Sequence, residues 1–149
     1  MSRPLRILVV DNNLADQEMI REMLPVQGLG DTDVTMALEG GEAIALLREV
    51  VAGRGPAPDV ILLDLHLSRV HGREVLAFVR NEPALHGLPV IMFTTAASDE
   101  VRNDCLRLGA NDFLLKPRTL AGFSEVASSI RHLADGRRGR PSTRTAAPS

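Results

Sequence analysis

Four short apolar runs in the 149-residue chain each stop on polar residues that can do chemistry. Ile7-Leu8-Val9-Val10 is followed by Asp11, Asn12 and Asn13, and Val60-Ile61-Leu62-Leu63 by Asp64. Val90-Ile91-Met92-Phe93 is followed by Thr94 and Thr95, and Phe113-Leu114-Leu115 by Lys116 and Pro117. Two carboxylates with an amide oxygen suit a hard divalent cation such as Mg2+, which takes few protein ligands and keeps waters. A hydroxyl and an ammonium suit phosphoryl oxygens. Lys116 also stands out by composition, as the sole Lys among sixteen Arg. An ammonium is a compact point charge and a guanidinium a planar fork, so Lys116 marks a place where Arg does not serve. The plain alternative is codon bias with one survivor.

These residues act together only if the elements before them place their ends side by side. None of the four runs alternates with polar residues, which fits parallel strands covered on both faces. Val34-Thr35-Met36-Ala37 is a weaker fifth candidate. Helical periods lie between the runs: Ala43, Leu46, Leu47 and Val50, then Phe123, Val126, Ala127 and Ile130. Shorter stripes are Ile20, Met23 and Leu24; Val75, Phe78 and Val79; and Val101, Cys105 and Leu108. Asn13 is the expected N-cap of the first helix, with Asp16 three residues on as a weak capping box. Gly109 is the expected stop of the fourth helix. Five strands alternating with five helices predict a doubly wound (βα)5 fold with a parallel sheet and right-handed crossovers. Ligands in such a fold sit outside the carboxyl ends of the strands, where the polar residues fall.

Composition narrows the function. With 44% apolar and 24% charged residues the chain reads as a globular domain. Aromatics are 3%, too few for stacking nucleic-acid bases. Cys105 is alone and reads as a buried small apolar residue. No apolar run approaches the ~18 residues of a membrane span, and no secretory h-region opens the chain, so a cytoplasmic protein is expected. Residues 1–134 read as one domain with a net negative charge, unlike a DNA binder. Residues 135–149 carry four Arg against one Asp and are rich in Gly, Pro, Ser and Thr. That stretch reads as a disordered basic tail, either a solubilising end or a contact for an acidic partner.

The chain resembles the receiver domains of two-component response regulators. The matching pieces are Val9-Val10-Asp11-Asn12, Leu62-Leu63-Asp64, Gly72, Phe93-Thr94 and Lys116-Pro117, in order and at the family's separations. Leu63-Asp64-Leu65-His66-Leu67, Gly72-Arg73-Glu74-Val75-Leu76 and Thr94-Thr95 are most similar to stand-alone receivers paired with phytochrome-type sensor histidine kinases. The resemblance implies a flavodoxin-like strand order 2-1-3-4-5. It implies Asp64 as phosphoacceptor, Thr94 and Lys116 as phosphate-binding residues, and Phe113 as a switch aromatic. It implies Mg2+ held by Asp11, Asn12, Asp64 and the backbone carbonyl of His66. The implied partners are a sensor histidine kinase and, for onward transfer, a histidine phosphotransfer protein, with neither DNA nor membrane. A homodimer is compatible with the family but is not required by the apolar stripes.

Three positions depart from the family pattern. Asn12 replaces the second acid after the first strand, which costs the site one negative charge and predicts weaker Mg2+ binding. Ser68 replaces a Pro four residues after the acceptor, which predicts a less rigid loop. His66, two residues after the acceptor, either tunes the lifetime of the phosphate or is a plain loop residue. Two other functions stay in view. A degenerate receiver would bind partners without being phosphorylated. A haloacid-dehalogenase-type phosphatase would need a second Asp where His66 stands. Asp31, Asp33, Thr35, Glu39 and Glu42 mimic a Ca2+ loop, but Met36 stands where its turn needs Gly. Gly28-Leu29-Gly30 precedes a strand, so it is no dinucleotide loop.

Overall fold

A computed structural model of the chain describes residues 3–119 and 121–138. The strands are β1 (Leu5–Val10), β2 (Thr32–Ala37), β3 (Val60–Leu63), β4 (Val90–Thr94) and β5 (Asp112–Leu115). The helices are α1 (Leu14–Val26), α2 (Gly40–Val51), α3 (Gly72–Asn81), α4 (Asp99–Leu108) and α5 (Phe123–Arg138), with one 3-10 turn at Pro83–Leu85. All five strands are parallel and run in the order β2-β1-β3-β4-β5. The expected (βα)5 fold and its strand order are both found.

The unbroken apolar runs follow from this layering. Successive side chains of a strand point to opposite faces, and both faces are covered. Leu8, Val10, Ile61, Leu63, Val90 and Met92 pack with Ala43, Leu47, Val75, Leu76, Val79 and Cys105 from α2, α3 and α4. Ile7, Val9, Val60, Leu62, Ile91 and Phe93 pack on the other side with Ile20, Leu24, Phe123, Val126, Ala127 and Ile130 from α1 and α5. Each buried Val, Leu or Ile contributes about 1.5–3 kcal/mol relative to exposure. β2 lies at the sheet edge and alternates between exposed and partly buried residues, which accounts for its weaker signal.

Helix ends are set locally. Asn13 caps α1 by accepting from the Asp16 N–H at 2.9 Å. Gly109 ends α4 with φ 112°, a conformation that costs Gly little. Leu108 departs from expectation, because it is 43% exposed. It is the last residue before that left-handed turn, and the chain's next apolar contact with the core is Ala110. α5 runs through Arg138, past the expected start of a tail at 135; residues 139–149 lie outside the described residues. Among the described residues no helix is long and apolar enough to cross a membrane.

Candidate functional site

The sheet register brings the strand ends together. β1 pairs with β2 on one side and β3 on the other, so the topology switches beside β1 and leaves a crevice at its carboxyl end. Val10 is level with Leu63, and Leu63 with Met92. Asp11 and Asp64 therefore leave adjacent strands side by side. Thr94 pairs with Leu115, which puts Lys116 one residue beyond, with its N–H donating to the Thr94 carbonyl at 2.7 Å.

The two buried carboxylates are held in the same way. Asp11 Oδ1 accepts from the Asn13 N–H at 2.9 Å, and Asp64 Oδ1 accepts from the His66 N–H at 3.1 Å. Each is a side chain bonding its own backbone two residues on, which fixes the rotamer and points the second oxygen inward. Both second oxygens face the same ammonium. Lys116 Nζ lies 2.6 Å from Asp11 Oδ2 and 3.0 Å from Asp64 Oδ2. The Lys116 side chain is only 7% exposed. Burial alone would push its pKa down, but the hydrogen bonds and charges of its carboxylate partners outweigh this and raise it. Burial raises the Asp11 carboxyl, and Lys116 offsets part of that rise.

Thr94 is fully buried, and its Oγ1 has no hydrogen-bond partner among the described residues. A buried hydroxyl without a partner is costly in a finished structure. At the end of β4, beside two carboxylates and an ammonium, it is a donor available for an incoming oxygen. Phe113, level with Met92, is buried in the core that faces α3 and α4.

The three departures from the family pattern acquire structural partners. Asn12 and Ser68 meet: the Asn12 Nδ2 donates to Ser68 Oγ at 3.2 Å. The bond ties the loop that lacks a Pro to the residue that lacks a charge, and it leaves Asn12 Oδ1 as the amide's free acceptor. His66 is exposed, and its Nε2 donates to the Ala96 carbonyl at 3.2 Å. It thus links the loop after Asp64 to the loop after Thr94, with its ring edge-on to His71 at 6.2 Å.

Two site residues were missed by sequence reasoning. Asp16, read there as half of a capping box, does not reach back to the Asn13 N–H, which Asp11 already takes. Its Oδ2 instead lies 2.8 Å from Lys116 Nζ. Gln17 is buried and its Nε2 donates to the carbonyls of Asp11 and Ala37, at 2.8 and 3.2 Å, which pins the ends of β1 and β2. The available signal was their place in the first turn of α1, directly after the polar strand end.

The donor set fits a hard divalent cation. It offers the Asp11 and Asp64 carboxylates, the Asn12 amide oxygen and the backbone carbonyls of the acceptor loop. Among the described residues no three His, Cys, Asp or Glu side chains form a group able to hold a metal by themselves. A cation here would need the amide oxygen, a carbonyl and waters, which is the habit of Mg2+.

Comparison with known proteins agrees with this arrangement. Residues 7–127 match the response regulator receiver domain family. The response regulator Rcp1 of Synechocystis is 31% identical over 128 residues, covering 85% of this chain and 86% of Rcp1. The Mn2+-bound structure of Rcp1 superposes with a TM-score of 0.74, covering 86% of this chain and 92% of that one. The phosphorylated cyanobacterial phytochrome response regulator RcpA, 29% identical, superposes with a TM-score of 0.77, covering 99% and 100%. With the fold, the strand-end residues and these matches in hand, the chain belongs to the family of response regulator receiver domains of two-component signalling.

Proposed function

We propose that the chain is a signalling switch phosphorylated on Asp64 by a partner sensor histidine kinase. A carboxylate oxygen of Asp64 attacks the phosphorus of a phosphohistidine; the P–N bond breaks, and the imidazole leaves with the electron pair. Such a transfer needs positioning and charge neutralisation more than covalent help. Lys116 stands beside the acceptor to pair with a phosphoryl oxygen, and Thr94 Oγ1 can donate to another. Mg2+ would be held by Asp11, Asn12, Asp64 and the His66 carbonyl, and would neutralise charge on the phosphoryl oxygens. When Thr94 turns to the phosphate it vacates space near β5, and Phe113 follows. The face made by α4, β5 and α5 then changes, and two packings exchange population. The output is binding of another protein, or passage of the phosphate to a histidine phosphotransfer protein.

The observation that carries this reading is the single buried ammonium 3.0 Å from Asp64, with an unpartnered Thr94 hydroxyl at the neighbouring strand end. The similarity to Rcp1 and RcpA supports a phytochrome-type kinase as the partner. Phos-tag electrophoresis after incubation with acetyl phosphate tests the acceptor. A shifted band that needs both Mg2+ and Asp64, and is absent in Asp64→Ala, is expected. No shift at any Mg2+ concentration would favour the degenerate receiver, the reading to which Asn12 lends its weight.

A further inference from the structure

Lys116 is ion-paired with three carboxylates, donating hydrogen bonds to Asp16 and Asp64 and facing Asp11 through charge alone. Asp11, Asp16 and Asp64 present their Oδ2 atoms at 2.6, 2.8 and 3.0 Å. Two of those partners belong to the metal and phosphate chemistry of the site. Asp16 does not: it comes from the first turn of α1, one turn removed from the strand ends. Its backbone is fixed by the Asn13 cap, and its side chain is not used in that cap. Asp16 also stands one helical turn beyond Asn12, which leaves the site one negative charge short.

We infer that Asp16 is a positioning residue that keeps the Lys116 ammonium at the acceptor once Asp11 and Asp64 are committed to a metal. The role rests on the phosphorylation-site reading above. Without Asp16, the ammonium would lose its remaining charged acceptor when the other two carboxylates turn away. A long, strongly hydrated side chain then gains by leaving for water. With Asp16, one charge-assisted hydrogen bond persists, and Lys116 is already beside Asp64 when a phosphoryl oxygen arrives. The plainer account of Asp16 is a first-turn acid favourable to the helix dipole. That account predicts nothing for Lys116.

Because Lys116 is the sole Lys, lysine-selective 15N labelling of the full chain yields one side-chain amine signal. Exchange of its protons with water is to be followed through an Mg2+ titration in wild type, Asp16→Asn and Asp16→Glu. At saturating Mg2+ the signal stays protected in wild type, and exchange is about tenfold faster in Asp16→Asn, where no ion pair is left. Asp16→Glu keeps the charge and restores most of the protection. Equal exchange in wild type and Asp16→Asn at saturating Mg2+ overturns the role and leaves the acceptor reading standing. A lower melting temperature in Asp16→Asn with the Lys116 signal unchanged does the same, and assigns Asp16 to the helix dipole. A wild-type Lys116 amine chemical shift that does not move at any Mg2+ concentration removes the metal-dependent site, and this role with it.

Discussion

At the scale of single residues, the site trades charge for a tie. Asn12 gives up a carboxylate and gains a hydrogen bond to Ser68. Restoring the acid in Asn12→Asp adds a hard anionic ligand, and Mg2+ affinity by calorimetry is expected to rise about tenfold. Unchanged affinity would mean that the amide oxygen already serves as well as a carboxylate. His71 offers a second test. Its Nδ1 accepts from the Arg73 N–H at 3.3 Å, while Glu74 Oε1 accepts from the His71 N–H at 2.8 Å. Burial lowers the His71 pKa, and the nearby charges of Arg73 and His66 lower it further. The unfolded chain therefore takes up this proton first as pH falls. The stability tied to His71 is complete above the ordinary imidazole value near 6.5 and declines below it, down to the lower pKa of the folded state. Thermal denaturation from about pH 8 to about pH 5 should show a steeper loss of stability in wild type than in His71→Asn, which caps without titrating. Parallel curves would deny the cap its pH dependence.

At the scale of elements, two residues show how helices are docked so that the strand ends stay in register. Arg80 leaves α3 and donates to the carbonyls of Gly109, His86 and Leu88 and to Asn111 Oδ1, at 2.8–3.0 Å. Asn111 in turn accepts from the Val90 N–H, so one guanidinium joins α3 to the starts of β4 and β5. Arg80→Ala leaves several backbone carbonyls without a donor, and urea unfolding should register a loss of about 2–3 kcal/mol. A loss under about 0.5 kcal/mol, the usual size for a surface change, would show that water replaces it. Gly72 opens α3 against the acceptor loop. A Cβ there would overlap the Asp64 carbonyl and the Leu65 Cα. Gly72→Ala should cost about 1–3 kcal/mol by overpacking and slow phosphorylation by acetyl phosphate, because the atoms that must yield are the backbone of the acceptor itself. Full-rate phosphorylation would show that the loop gives way without moving Asp64.

Those examples mark what the sequence could and could not convey about the elements. Strands β1, β3 and β4 were legible because burial on both faces writes an unbroken apolar run. β2 was faint because an edge strand needs only one apolar side. The stop at Gly109 was legible because only a left-handed turn needs that residue there. Leu108 was misjudged because periodicity does not register where a helix leaves the core. The acceptor, hydroxyl and ammonium positions were legible as strand-end polar residues, and the register β1–β3–β4–β5 brings them together. Asp16 was not, since a first-turn acid looks the same whether it caps a helix or holds a lysine 100 residues away.

At the scale of the whole molecule, the sheet divides the interior into two apolar layers of different ancestry in the chain. The layer under α2, α3 and α4 takes its helices from one continuous stretch, Gly40 to Leu108. The layer under α1 and α5 needs both ends, Leu14–Val26 and Phe123–Arg138. At the far end of the sheet, Arg3 pairs with buried Asp59 through two bonds of 2.7 and 2.8 Å, and Asp59 also accepts from the Arg6 N–H. The Arg3 left by Asp59→Ala is 42% exposed and can rehydrate, so the loss in denaturant melts should be about 1–3 kcal/mol, from the charged hydrogen bonds and the orphaned Arg6 N–H. A much smaller loss would mean that the edge is held by the strand ladder alone. The divided interior also has a consequence for synthesis. On the ribosome, the first layer can close while α5 is still in the exit tunnel. Ile7, Val9, Leu62 and Phe93 meanwhile have only α1 to cover them. The nascent protein thus has one side of its sheet only half covered until α5 emerges, and that half-open side is where a chaperone would hold it.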